Sequence, residues 1–335
     1  MNYAIIGCGL IGKKRLAGLP AGSKLAVACN TNPARAAELV KLANTGRAVA
    51  DFKQAIASPE VDAVIAATFN SMLAEVSAAA ICAGKPVLVE KPAGVSVKQI
   101  DELIALAKQH SVCVRVGFNH RYHPAFIKAR EILASGVMGE LMFIRGRYGH
   151  GGRVGYDKEW RANPKLSGGG ELIDQGIHLI DLAGWFLGRF TKVDGHATTY
   201  FWNMPVDDNA FLSLRTAKDQ TAWLHVSCTE WKNLFSFEIY GRHAKLHIEG
   251  LGGSYGVEKL YHYQMKPEMG PPDTKLYEFP GPDESWRIEM TEFERDVQLK
   301  RKPDAGLAEA RAALQIVEQI HRKSGFDFDS VPLKL

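Results

Sequence analysis

Tyr3-Ala4-Ile5-Ile6-Gly7-Cys8-Gly9-Leu10-Ile11-Gly12 opens the chain as a short apolar run, breaks into three spaced glycines and continues as a helical pattern. Each glycine has a mechanical use. The first allows a tight turn, the second lets the backbone approach a pyrophosphate, and the third lets helix pack closely on strand, with phosphates at the helix amino terminus. The spacing alone is weak, so its context decides. Here it heads an alternating series in which strand-like runs end near Ile6, Asn30, Val49, Ala67, Val89 and Val116. Helical patterns fill residues 11–19, 33–42, 52–57, 71–83, 96–109 and 124–135. This rhythm predicts an α/β fold with a parallel, doubly wound sheet.

In such a fold the second strand should end in an acidic residue that holds the adenosine ribose. The chain has Asn30-Thr31 there. Asparagine can still hydrogen-bond a ribose hydroxyl and does not repel a 2′-phosphate, so NAD is expected and NADP stays open. Lys13, Lys14 and Arg35 are the nearest basic residues. The fourth strand ends in Thr68-Phe69-Asn70 and the fifth in Glu90-Lys91-Pro92. Both ends fall on the carboxyl edge of the sheet, where ligands of open α/β sheets bind. Pro92 restricts its loop, so Lys91 should project over the crevice rather than sweep freely in solvent.

A second glycine turn, Gly168-Gly169-Gly170-Glu171-Leu172-Ile173-Asp174-Gln175-Gly176-Ile177-His178-Leu179-Ile180-Asp181, leads into a helix that is apolar almost all round. Such a helix expects burial. At regular helical spacing Glu171, Asp174, His178 and Asp181 share a stripe about 80° wide. Titratable groups on a buried helix must be paired or face a wet cavity, which points to a cleft.

Length and composition bound the rest. The 335 residues fit two domains, and 46% hydrophobic content is ample for their cores. A net charge of +4 without a dense basic run argues against nucleic acid as a partner. The absence of a membrane-length apolar run and of a signal-peptide pattern leads to the expectation of a soluble cytoplasmic protein. Cys8, Cys29, Cys82, Cys113 and Cys228 form an odd set without CxxC spacing, read as reduced thiols. After Ser135-Gly136-Val137-Met138-Gly139 the pattern becomes strands joined by turns, at 141–148, 192–201, 209–215, 221–229, 235–240 and 244–249. An antiparallel sheet is predicted there, followed by helices at 286–299 and 307–323.

The run from Arg145 to Arg161 is rich in glycine, aromatics and arginine. Read blandly it is a solvated surface loop. Read functionally it selects an anionic substrate, since arginine forks onto phosphate or carboxylate and aromatic faces stack on sugars. No metal site is expected: Glu171, Asp174 and His178 lack a converging third motif, and His243 and His247 suit ordinary positions on a sheet face.

The glycine turn, Glu90-Lys91-Pro92, Gly117-Phe118-Asn119-His120-Arg121-Tyr122, Trp160-Arg161 and the stretch from Gly168 to Asp181 occur in the order found in one family. Together the motifs resemble the glucose–fructose oxidoreductase/inositol dehydrogenase (Gfo/Idh/MocA) family of nicotinamide-dependent sugar oxidoreductases, over essentially the whole chain. The resemblance implies a Rossmann domain at about 1–120. A substrate-binding and oligomerisation domain with a large, mostly antiparallel sheet would span 121–335, its helix at 307–323 packing back on the first. It implies Lys91, Asp174 and His178 as catalytic residues. With the glycine turn and strand ends read above, the candidate cofactor residues are Gly7, Gly9, Leu10, Ile11, Gly12, Asn30, Thr31, Thr68, Asn70, Glu90, Lys91 and Asn119; with the arginine-rich run, the candidate substrate residues are Arg121, Tyr122, Arg153, Trp160 and Arg161. Many members have a histidine three residues after the Thr-x-Asn motif; this chain has Leu73.

The expected reaction is hydride transfer between NAD(P) and a secondary hydroxyl or ketone of a sugar, an anionic one such as a nucleotide-linked or carboxylated sugar. The alternatives are a free-sugar or cyclitol dehydrogenase and a non-catalytic dinucleotide sensor. A homodimer or homotetramer is expected by analogy, through the open face of the second sheet.

Overall fold

The computed structural model describes residues 1–328. Six strands, β1 (Asn2–Ile6), β2 (Lys24–Cys29), β3 (Arg47–Val49), β4 (Ala63–Ala66), β5 (Val87–Glu90) and β6 (Val114–Gly117), form a parallel sheet in the order β3-β2-β1-β4-β5-β6. The crossovers carry α1 (Leu10–Ala17), α2 (Pro33–Ala43), α3 (Phe52–Ala57), α4 (Asn70–Cys82) and α5 (Val97–His110). β4, Ala63-Val64-Ile65-Ala66, is buried throughout because helices cover both faces of the sheet. Asn32, Asp51 and Ser96 cap α2, α3 and α5 with their side chains. At α1 Gly9 holds the cap position and no side chain caps the helix. Strand order reverses between β1 and β4, which opens a crevice at their carboxyl ends.

The rest of the chain builds α6 (Pro124–Ala134), β7 (Leu141–Gly149), α7 (Pro164–Ser167) and α8 (Ile177–Leu187), then β8 (Phe190–Thr198), β9 (Asn209–Thr216) and β10 (Thr221–Ser227). β11 (Leu234–Gly241), β12 (Ala244–Glu249), β13 (Glu258–Gln264) and β14 (Asp273–Phe279) complete an eight-stranded sheet, β14-β13-β12-β11-β7-β10-β9-β8. Its pairs are antiparallel except β7 with β10. Alternation along β11 turns Phe235, Phe237 and Ile239 inward towards Phe126 of α6 and Phe186 of α8. The other face is open, and Trp223 on it is 58% exposed.

Three local features differ from the sequence reading. β13 and β14 were not expected, because Glu258-Lys259-Leu260-Tyr261-His262-Tyr263-Gln264 lacks a clean apolar alternation and β14 is a largely exposed edge. β8 ends at Thr198 rather than 201, since the N–H groups of Tyr200, Phe201 and Trp202 donate to the Asp208 carboxylate instead of a ladder. The third lies at the second glycine turn, where Leu172–Gly176 forms a π-helical turn before α8 begins.

Two final helices, α9 (Ser285–Leu299) and α10 (Leu307–Lys323), return to the first sheet. Met290 and Phe293 of α9 pack in the core beneath β1 and β2. α10 packs on α5 and on β8, and so ties the two sheets together. The second domain's expected end at 335 lies outside the described residues. Among the described residues no helix is long and apolar enough to cross a membrane, and no group of three His, Cys, Asp or Glu could hold a metal ion.

Candidate active site

The carboxyl edges of β4 and β5 face the π turn and α8 across an open cleft of about 230 Å³. Lys91, directly after β5, donates to the backbone oxygen of Asp174 at 2.5 Å and to its Oδ1 at 2.6 Å. From the other side the Arg161 Nε donates to Asp174 Oδ2 at 2.8 Å. Burial raises the Asp174 carboxyl, but Lys91 and Arg161 outweigh it and hold the group far below the usual carboxylate range. Asp174 is therefore a fixed anion that pins Lys91 in place.

His178 is buried at the same cleft and stacks on His120, with ring centroids 3.8 Å apart and an interplanar angle of 16°. Phe118 meets it edge-on. Among the described residues the His178 Nδ1 is buried without a partner, so Nε2 is the nitrogen available to the cleft. Burial and then the Lys91 ammonium press its pKa well below 6.5, with Asp174 opposing. Burial, His178 and His123 do the same to His120. His178 is thus a neutral imidazole near neutral pH, able to accept a proton.

The π turn separates the four stripe residues. Its wider turn breaks the regular 100° spacing, and π turns recur at functional sites. Asp174 and His178 line the cleft. Glu171 faces a smaller cavity, where Tyr156 Oη lies 3.4 Å and His150 Nε2 3.5 Å from its carboxylate. Burial, then Asp174 and Asp207, raise its pKa well above the carboxylate range. Asp181 points away altogether and accepts two bonds from Arg121, at 2.8 and 2.6 Å.

The first glycine turn fits a dinucleotide. A Cβ on Gly7 would stand 2.1 Å from the Ala67 oxygen and one on Gly12 2.1 Å from the Gly7 oxygen, so both positions are closed by backbone. Among the described residues a Cβ on Gly9 would meet nothing within 4 Å. Bare backbone at the uncapped start of α1 suits a pyrophosphate. Leu10 beside it is exposed, and Ile11 lines the cleft with Thr68, Glu90 and Asn119. Asn30 Oδ1 accepts the Asn32 N–H at 2.9 Å, so its side-chain amide nitrogen is the donor left at the end of β2; Thr31 next to it is exposed. Asn70 lines the cleft but donates to the Ser167 oxygen, 2.8 Å away, bracing α4 against the second turn.

The residues assigned to substrate do not all meet. Trp160 and Arg161 line the cleft. Arg121 is buried against Asp181 at a separate cavity. Tyr122 bonds Arg115 and Asp304. Arg153 has a side chain 72% exposed and pairs with Glu159 at 2.7 Å. His120, which the sequence places in a motif without a role, lines the cleft together with His123, Tyr255 and Trp286, which carry no role in the sequence pattern. The motif signals His120; Trp286 opens a predicted helix that carries no functional motif, and His123 and Tyr255 stand outside the quoted motifs. A further unassigned group is buried Arg15 of α1, which donates to Glu90 at 2.5 Å and to Glu289 of α9 at 2.7 Å.

Two family models match the chain. One, described as an oxidoreductase family with an NAD-binding Rossmann fold, matches residues 1–118; the other, the GFO/IDH/MocA C-terminal domain, matches 126–247. Among curated relatives, a levoglucosan dehydrogenase of Pseudarthrobacter phenanthrenivorans is 26% identical over 65% of this chain and 59% of its own length. An inositol 2-dehydrogenase of Saccharopolyspora erythraea is 30% identical over 56% and 54%. The chain thus spans little more than half the length of these relatives. Among solved structures, levoglucosan dehydrogenase in complex with NADH and levoglucosan superposes with a TM-score of 0.87 at 22% identity, covering 97% of both chains. UDP-N-acetylglucosamine 3-dehydrogenase GnnA from Acidithiobacillus ferrooxidans gives 0.80 at 20% identity, also over 97% of both.

Proposed function

The chain belongs to the GFO/IDH/MocA oxidoreductase family, and we propose that it is an NAD-dependent dehydrogenase acting on a secondary hydroxyl of a neutral sugar or cyclitol. The observation that carries the reading is the meeting of Lys91, Asp174 and His178 in one cleft whose floor runs to the first glycine turn. The bound nicotinamide supplies the hydride acceptor. Asp174 stays ionised and keeps Lys91 fixed, with one ammonium N–H free for the reacting oxygen. His178 accepts the hydroxyl proton as the carbon–oxygen double bond forms. In this reading Asp174 does not orient His178, because both its oxygens serve Lys91 and Arg161; the stacked His120 ring holds the imidazole instead.

A neutral substrate is favoured over the anionic one expected from the arginine-rich run. Arg161 is committed to Asp174, Arg153 to Glu159 and Arg121 to Asp181. A substrate anion would have to displace a carboxylate from each. The nucleotide-linked alternative keeps one cation in its support: Lys14 lines the cleft over the Trp286 ring and forms no ion pair among the described residues. Pairing of two or four copies across the open face of the second sheet, where Trp223 is exposed, belongs to the same proposal.

Initial rates of NAD reduction with a panel of free pyranoses, anhydrosugars and cyclitols, set against uronic acids and nucleotide sugars, test the reading. Turnover is expected with the neutral group, and unchanged KM in Arg153→Ala. Turnover confined to the charged group, with KM raised about tenfold or more in Arg153→Ala, would reverse the assignment.

A further inference from the structure

Behind the second glycine turn lies a buried pair that the proposed chemistry does not use. Asp207, in the loop before β9, has no exposed surface. Its Oδ1 accepts the Gly170 N–H at 3.0 Å, its Oδ2 the Leu172 N–H at 2.7 Å, and its backbone oxygen the Glu171 N–H at 2.9 Å. These are the donors that open the helical segment and have no partner within it. His321 of α10 completes the set, with Nε2 at 2.9 Å from Asp207 Oδ1. His321 is itself buried beside the Phe326 and Phe328 rings.

The glycines are shaped around this pair. A Cβ on Gly170 would stand 1.9 Å from the Asp207 oxygen, and one on Gly169 2.7 Å from His321 Cε1. The connection then runs on to the cleft: the Gly170 oxygen accepts the Asp174 N–H at 3.1 Å, and Asp174 holds Lys91.

We propose that Asp207 and His321 are a positioning pair that fixes the π turn, and through it the Lys91–Asp174 contact, from the last helix of the chain. His321 holds the Asp207 carboxylate in the rotamer that reaches two backbone N–H groups at once. Without that bond the carboxylate can turn, the first helical donors lose their acceptor, and Asp174 shifts relative to Lys91. A displacement of about 1 Å at such a site costs on the order of a hundredfold in rate. The kinetic part of this role rests on the proposed dehydrogenase reaction; the structural part does not.

The test uses the full chain as wild type, His321→Phe, His321→Gln and Asp207→Asn, read by hydrogen–deuterium exchange of peptides spanning 168–178, by NADH binding and by kcat. His321→Phe should raise exchange of the Gly170-to-Asp174 amides about tenfold or more and lower kcat roughly tenfold to a hundredfold, with NADH affinity within about twofold. His321→Gln, which keeps an N–H donor, should recover most of both, and Asp207→Asn should resemble His321→Phe. Wild-type exchange and kcat in His321→Phe would overturn the proposal. So would a uniform rise in exchange over both domains with loss of NADH binding, which would mark a general loss of structure. If the wild type turns over no sugar while local exchange responds as expected, the positioning pair stands and the dehydrogenase reading falls.

Discussion

Among the described residues a Cβ at Gly9 would meet nothing within 4 Å, whereas one at Gly170 would press 1.9 Å from the Asp207 carbonyl oxygen. Both glycines stand at the head of a helical segment that borders the cleft, and both segments start without a side-chain cap of their own. At the first turn the bare backbone is left open. At the second it is filled from within the protein, by a carboxylate that takes the helix donors and a histidine that takes the carboxylate. Each turn is also backed by buried polar side chains, Arg15 with Glu90 and Glu289 behind the first and Asp207 hydrogen-bonded to His321 behind the second. Glycine therefore leaves the backbone open at one turn and makes room for the Asp207 backbone at the other.

The contrast can be broken at either end. The largest effect is expected at Gly170→Ala, where backbone cannot yield to a methyl group; thermal denaturation should show a loss of roughly 3 kcal/mol or more, with activity lost as well. A melting temperature within about 1 °C of wild type would show that the second turn is looser than its packing indicates. Gly9→Ala should leave stability nearly unchanged and weaken NADH binding about tenfold, or about 1.4 kcal/mol, in a fluorescence titration. Wild-type affinity there would remove the ligand role of that open space.

The smallest expected effect concerns the charge behind the first turn. Burial, reinforced by Glu90 and opposed by Arg15 and Arg115, raises the Glu289 carboxyl to about 7. A carboxyl raised on folding favours its protonated form in the native state. Its contribution is complete below its ordinary value near 4.5 and is lost as pH rises through about 7. The melting temperature of wild type should therefore fall between about pH 5 and 8 by roughly 2–4 °C more than that of Glu289→Gln, whose side chain does not titrate. Parallel curves for the two proteins would mean that Arg15 keeps Glu289 ionised throughout.

The first sheet was legible because strands buried on both faces read as unbroken apolar runs between helical patterns. The six strand ends predicted from Ile6 to Val116 agree with the observed ends within a residue or so. β13 and β14 were not legible, since an outward face of lysine, tyrosine and glutamate carries little alternation. The spacing of Asp174 and His178 pointed towards one cleft, and both line it. Yet the same spacing grouped Glu171 and Asp181 with them, because a π turn leaves no trace in a pattern read at 100° per residue. Arg121, Arg153 and Arg161 illustrate a second limit. Composition shows that a segment is basic, but the carboxylates that occupy those arginines come from packing. Asp207 and His321 are 114 residues apart, and neither stands in a motif, so their pairing was visible only in the fold.

Single-turnover NAD reduction tests whether Lys91 and His178 act together on a hydroxyl at this cleft. The comparison is between wild type, Lys91→Met and His178→Gln, each shown beforehand to bind NADH as wild type does. Each variant is expected to lose about a thousandfold in rate with cofactor affinity retained. Near-normal rates in both variants would contradict that joint role.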